Sequence, residues 1–239
     1  MIRVILFGAV GRMGKLVIEE LQEQVDMTIV AGVEHPEHDS IGTSINDIPI
    51  IADGKELPEA DVWVDFSFGE PALEHIRRAS ELGMPIVMPA TGFDDKAIRE
   101  IDKLSVSCPI LMTPNLSTGI GVMERLIGDA SRLFGNDFDP VLSEIHHTAK
   151  RDAPSGTALR LAQQVITDVE PPPIQIVSQR AGGAVGEHQI RFVGKDEELV
   201  ITHRAWSRRA FSRGVPRAIR FIVEKESGMY STTDMYGED

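Results

Sequence analysis

The chain has 239 residues, 42% of them hydrophobic and 26% charged, the balance of an ordinary globular protein with length for one large or two modest domains. Its formal net charge of -13 argues against nucleic acid as a partner, because phosphate backbones want a basic face. A single cysteine, Cys108, excludes an intramolecular disulfide and suits a reducing compartment, and no CxxC or HExxH spacing points to a metal.

Met1 to Val4 runs directly into a strand, with no charged leader or long apolar span, so a cytoplasmic protein without a membrane segment is expected. Ile2 to Phe7 is a continuous β-rich apolar run, as a buried parallel strand requires. Gly8-Ala9-Val10-Gly11-Arg12-Met13-Gly14 follows, then a helix carrying Leu16, Val17, Leu21 and Val25. Strand, glycine turn and helix in that order form the phosphate-binding corner of a dinucleotide fold, with the helix N-terminus facing the pyrophosphate. The spacing is G-x-x-G-x-x-G, with Val10 where the commoner fingerprint has its middle glycine. A second strand, Met27 to Val33, ends in Glu34, at the distance where an acid meets the adenosine ribose hydroxyls. Gly8, Ala9, Val10, Gly11, Arg12, Met13 and Glu34 are therefore candidate cofactor residues.

Further βα units read as strand Asp61 to Ser67, helix Glu70 to Leu82, strand Pro85 to Met88, helix Asp94 to Leu104 and strand Pro109 to Met112. Such alternation implies an open parallel sheet whose ligands bind beyond the carboxyl ends of the strands. Two loops lie at such ends, Pro89 to Gly92 and Thr113 to Leu116, and they add Thr91 and Asn115 to the cofactor candidates. Cys108 adjoins the apolar run Pro109 to Met112 and reads as a small core residue.

Thr118 to Phe134 is an amphipathic helix leading to the densest stretch of the chain, Ser143 to Ala158 (SEIHHTAKRDAPSGTA). Its start reads as a strand ending at His146 and His147, followed by a loop to Pro154. Ser155 is a helix N-cap, with Leu159, Leu161, Ala162, Val165 and Ile166 as the apolar stripe beyond it. The backbone N–H groups of Gly156 and Thr157 then lie in a first helical turn, and Lys150 is near enough in sequence to serve the same anion. The ligand expected here carries a carboxylate or phosphate. Arg204, Arg208, Arg209 and Arg213 concentrate positive charge that could steer a small anion. Ile174 to Ser178, Gln189 to Val193 and Leu199 to His203 read as antiparallel strands, and Arg217 to Glu224 as a last helix. The fold class is thus α/β: a Rossmann-type dinucleotide-binding domain over 1–116, with 212–239 returning to it, and a second α+β domain over 117–211 built on a mostly antiparallel sheet.

Taken together, the chain resembles the dihydrodipicolinate reductases, also called 4-hydroxy-tetrahydrodipicolinate reductases, over essentially its whole length. Glu144-Ile145-His146-His147, Lys150 and Asp152-Ala153-Pro154-Ser155-Gly156-Thr157-Ala158 carry the most specific part of the likeness. The turn from Gly8 to Gly14 also matches, as do Arg180, Gly186, His188, Phe192, His203, Ala205, Arg208, Phe211 and Gly214. The resemblance implies hydride transfer from NADPH or NADH to C4 of a small cyclic dicarboxylate in diaminopimelate and lysine synthesis. It implies His146 as general acid, Lys150 as donor or charge stabiliser, and His147, Lys150, Gly156 and Thr157 as holders of the substrate carboxylates. It also implies a homotetramer. The sequence departs from the family at Pro89-Ala90, where Gly-Thr is usual, at Leu116, where phenylalanine is, and at His35, where members favouring NADPH often carry arginine. Neutral imidazole suits a 2′-phosphate less well than guanidinium, so the preference between NADH and NADPH stays open and leans to NADH. Two rivals are a reductase of another imino or amino acid on the same fold and a non-catalytic NAD(P)H sensor.

Overall fold

The structure, a computed structural model, describes residues 1–89, 93–165 and 174–237. In chain order the elements begin with β1 (Ile2–Phe7), α1 (Arg12–Gln22), β2 (Met27–Glu34), β3 (Ser44–Ile45), β4 (Ile48–Ala52) and β5 (Val62–Asp65). Next come α2 (Glu70–Leu82), β6 (Ile86–Met88), α3 (Asp95–Leu104), β7 (Pro109–Met112), α4 (Thr118–Phe134) and a 3₁₀ turn at Gly135–Asp137. The chain continues with β8 (Asp139–His146), α5 (Gly156–Ala162), β9 (Gln175–Arg180), β10 (Gly186–Val193) and β11 (Glu198–Ala205). It closes with α6 (Arg209–Ser212), α7 (Val215–Ile222), β12 (Gly228–Tyr230) and α8 (Thr232–Tyr236). Two compact units result, Met1–Leu116 with Phe211–Met235, and Ser117–Ala210 with Tyr236–Asp239.

The first unit is built on a sheet of order β12-β7-β6-β5-β1-β2-β4-β3, parallel except where β3 pairs with β4. Val4, Ile5, Leu6 and Phe7 are shut from solvent, which explains why β1 reads as an unbroken apolar run rather than an alternating one. Because β1 has β5 on one side and β2 on the other, strand order reverses there, and its carboxyl end is the topological switch point. Local chemistry sets the helix bounds. Gly83 ends α2 in the left-handed conformation, and the Asp94 side chain caps α3 by accepting the Ala97 N–H. Several short elements went unread in the sequence: the β3–β4 hairpin, turned by Asn46 and Asp47 at φ 48° and 65°, β12, a three-residue strand added beside β7, and the short helices α6 and α8. The expected last helix starts two residues earlier than read, at Val215 with Pro216 in its first turn, and it packs on β6 and β7.

The second unit has a four-stranded sheet of order β11-β10-β8-β9, antiparallel except between β8 and β9. Leu142, Ile190 and Phe192 from this sheet form a core with Ile120, Met123 and Ile127 of α4 and with Ala158 and Leu161 of α5. Helix α5 is shorter than its apolar stripe suggested, ending at Ala162; Val165 is still buried in the core, while Ile166 falls outside the described residues.

Candidate active site

In the first unit, β1 ends at Phe7 and Gly8 turns the chain at φ 74°, a conformation that side chains disfavour. A Cβ on Gly14 would lie 2.2 Å from the Gly8 carbonyl oxygen, so α1 packs hard against the turn, which only glycine permits. The N-cap of α1 is Gly11, which has no side chain to cap it, and no acidic residue of the helix stands in its first turn. Ala9 is buried, Met13 half-buried and Arg12 exposed at the first turn. At the end of β2, Glu34 Oε1 accepts the Val10 N–H at 2.7 Å. Val10 therefore contributes through its backbone, which is why the missing middle glycine costs the corner nothing there. Asn115 sits after β7 in a closed turn: its N–H donates to Thr113 Oγ1 at 3.2 Å, and that hydroxyl donates to the Asn115 carbonyl at 3.0 Å. Thr91 lies outside the described residues. The close glycine turn, the uncapped helix start and the acid at the end of β2 fit a dinucleotide.

A second polar group in the same unit is not legible from sequence spacing. His75 on α2 is buried, with Nδ1 2.7 Å from Asp65 Oδ2 and Nε2 3.0 Å from Asp53 Oδ2. Asp53 also accepts from Arg78 at 2.7 Å, and Asp65 from the Ser67 N–H at 2.6 Å. Burial by itself would push the His75 pKa down; the two carboxylates outweigh it and hold the pKa above the ordinary histidine value. The ring lies against Phe7, at a centroid distance of 4.1 Å. This clamp ties α2 to the end of β5, which adjoins the switch point, and to the residue that follows β4.

In the second unit, alternation along β8 places Glu144 and His146 on the buried face and sends His147 to the other, half-buried side. Strand register does the rest. His188 lies opposite Glu144 on β10, and Arg180 lies opposite His146 on β9. His146 Nδ1 is hydrogen-bonded to Glu144 Oε2, while Glu144 Oε1 accepts from Arg180 Nη1 at 2.9 Å. Arg180 also donates to the Asp152 carbonyl, holding the loop that carries Lys150. Burial tends to raise the Glu144 pKa, but Arg180 and His146 among its partners bring it below the usual carboxylate range. Burial lowers the His146 pKa; Glu144 opposes this, and the positive charges of Lys150 and Arg180 add to it. His188, more deeply buried, is pushed down to about 3 and stays neutral.

Ser155 caps α5 as expected, its Oγ accepting the Ala158 N–H at 3.1 Å and lying 3.3 Å from His188 Nε2. Lys150, expected to serve an anion here, has its ammonium 2.9 Å from Asp152 Oδ2. The Asp152 carboxyl is lowered by Lys150 and by the Gly156 N–H, against the opposing effect of burial. An internal carboxylate thus occupies the lysine that an anionic ligand would use. Thr157 is buried beside them. Glu144, His146 and His188 place one ligand atom each within 4.8 Å of one another, a set that could hold a metal by distance. Arg180 and Lys150 beside it make the surroundings those of an anion site. Arg204, one of the arginines expected to steer an anion, is instead paired with Glu187 at 2.6 Å.

Residues 2–116 match the family description "Dihydrodipicolinate reductase, N-terminus", and residues 119–236 match "Dihydrodipicolinate reductase, C-terminus". The chain belongs to this family. Curated members include the 4-hydroxy-tetrahydrodipicolinate reductase of Syntrophobacter fumaroxidans, 34% identical over 99% of both chains, and that of Aquifex aeolicus, with the same identity and coverage. Among solved structures, a dipicolinate-bound dihydrodipicolinate reductase from a Paenisporosarcina species covers 98% of both chains with a TM-score of 0.78 at 23% identity. A myo-inositol dehydrogenase from Corynebacterium glutamicum covers 95% of this chain and 90% of its own, with a TM-score of 0.69 at 14% identity, so the fold is shared beyond the family.

Proposed function

We propose that the chain reduces 4-hydroxy-tetrahydrodipicolinate to tetrahydrodipicolinate with NADH or NADPH, in diaminopimelate and lysine synthesis, with His146 as general acid. Membership of the family carries the reaction. The hydrogen-bonded Glu144–His146 pair, beside Lys150 and the start of α5, supports the assignment of residues.

The reduced nicotinamide, when bound, would supply the hydride to C4, and the 4-hydroxyl group leaves as water. Gly8, Ala9, Val10, Gly11, Arg12 and Met13 would hold its pyrophosphate, Glu34 its adenosine ribose, and Thr91 and Asn115 are further contacts in this reading. Lys150, His147 and the backbone of Gly156 and Thr157 take the two substrate carboxylates, Lys150 leaving Asp152 to do so. Those carboxylates bring negative charge close to His146 and raise a pKa that burial holds down, so the imidazole takes up its proton as substrate arrives. His146 then gives that proton to the substrate, with Lys150 steadying the carboxylate charge.

A cytoplasmic location and a homotetrameric assembly belong to the same reading. The lone cysteine, buried with its thiol pushed up to about 11, agrees with the first; Val177, Leu199 and Val200, exposed on strands of the second sheet, agree with the second. Among the described residues no helix is long and apolar enough to cross a membrane, and the net charge disfavours nucleic acid.

Dipicolinate, a planar dicarboxylate, tests the substrate site. It should bind the cofactor-loaded chain and compete with substrate, and K150Q should weaken it by about 1.5–3 kcal/mol, the value of a charge-assisted hydrogen bond. Equal affinity for the two proteins would remove Lys150 from the carboxylate site.

A further inference from the structure

We propose that Glu144 is a positioning residue of the reduction: it holds the Nδ1 proton of His146, so that the transferred proton leaves from Nε2. The inference rests on the reading of His146 as proton donor and adds the partner that orients it.

Four observations converge. The Nδ1 side of His146 is engaged by Glu144 Oε2, so in neutral imidazole the proton is on Nδ1 and Nε2 is bare. The other carboxylate oxygen is held by Arg180 Nη1 at 2.9 Å, and Glu144 is wholly buried, so the acceptor can neither rotate away nor exchange with water. The Nε2 edge faces Gly186: a Cβ there would lie 3.1 Å from Nε2 and crowd that edge of the ring. His188 stands edge-on to His146, with ring centroids 5.1 Å apart at 74°, and limits the remaining rotation of the ring. All of this follows from register, since Glu144 and His146 are two apart on β8 while His188 and Arg180 are their partners on β10 and β9. The groups facing the ring are therefore Glu144, Arg180 and His188, with Lys150 and Asp152 from the following loop.

In the step itself, the imidazolium loses the Nε2 proton to the substrate and becomes the neutral Nδ1–H imidazole. The Nδ1–H stays on Glu144 throughout. The ionised carboxylate stabilises the imidazolium before transfer, and Arg180 limits how far it does so. A merely structural Glu144–Arg180 ion pair joining β8 to β9 would have no bearing on which nitrogen carries the proton.

The test is ring NMR on the full-length chain with isotope-labelled histidine, His146 being assigned by its absence in H146Q. The expected result is a neutral His146 carrying its proton on Nδ1. A neutral His146 protonated on Nε2 would overturn the proposal, and because this measurement uses the unaltered protein it decides even if no Glu144 variant folds. Kinetically, E144Q should lower kcat by about 10–100-fold, as loss of a partner that orients a histidine does at other sites. The substrate KM should stay within about twofold, and the alkaline limb of kcat should move to lower pH; E144D should recover part of the loss. An E144Q enzyme with unchanged kcat and an unmoved limb would overturn it. H146Q separates the two levels: if it turns over at the parent rate, His146 is not the acid and both readings fall. If H146Q is inactive while E144Q behaves as the parent, only the role of Glu144 falls.

Discussion

The carboxylate of Glu34 accepts the backbone N–H of Val10 at 2.7 Å, joining the end of β2 to the glycine turn that follows β1. A carboxylate at this place suits ribose hydroxyls and repels a 2′-phosphate. The neighbouring His35 does not offset it, since its Nδ1 accepts the Glu37 N–H at 3.3 Å within its own loop. The chain should bind NADH more tightly than NADPH, and E34Q should shift the ratio of their dissociation constants towards NADPH by about tenfold, some 1.4 kcal/mol. Titration of both cofactors into parent and variant measures this, and an unchanged ratio would separate Glu34 from the ribose.

Asp152 holds Lys150, so it competes with any incoming carboxylate. D152N should therefore bind dipicolinate more tightly than the parent, by a few-fold to about tenfold, the opposite sign to K150Q. Calorimetric titration of the two variants reads both effects. Weaker binding in D152N would make Asp152 a support of the loop rather than a competitor.

The pH dependence of turnover follows from the burial of His146. Its pKa in the unliganded chain lies below the ordinary value, so kcat/KM should fall with rising pH through a limb placed below that value. In the substrate complex two carboxylates raise the pKa, so the corresponding limb of kcat should sit at higher pH. Coincident limbs would show that the substrate's charge does not reach His146.

For the His75 clamp the sign is the reverse of an acid-sensitive one. Its folded pKa is raised, so the stability it contributes is fully present below the unfolded value near 6.5 and is lost as pH rises through the folded value. Chemical denaturation should show the parent losing stability on the alkaline side of that window, and H75N showing less of this dependence. H75N should also be less stable by about 3–5 kcal/mol at neutral pH, because it leaves Asp65 buried without its cation. Equal slopes for parent and variant would assign the pH dependence elsewhere.

Much of this could be read from the chain before any coordinates. The parallel strands announced themselves because β1 and β5 are buried on both faces, and α2 and α4 have the bounds expected from the sequence. Short elements did not, since two or three residues, as in β3 and β12, carry no periodicity; only Asn46-Asp47 between isoleucines hinted at a hairpin. The partners of His146 were legible by half. Glu144 stands two residues away and could have been placed on the same strand face, whereas Arg180 and His188 reach it through pairing registers that sequence spacing does not encode. The clamp of Asp53, His75 and Asp65 was hidden for the same reason, its members arriving from β5, α2 and the loop after β4. That Asp152, two residues on, folds back onto Lys150 is likewise not encoded in their spacing.

In the proposed reaction the cyclic dicarboxylate is reduced with a proton from His146. Oxidation of NADH and NADPH by freshly prepared 4-hydroxy-tetrahydrodipicolinate, followed side by side for the parent chain and H146Q, decides whether it is. The parent should turn over rapidly, and H146Q should lose about 10²–10⁴-fold in kcat while binding cofactor as before. A parent chain that binds both cofactors and oxidises neither, or an H146Q variant as fast as the parent, would contradict it.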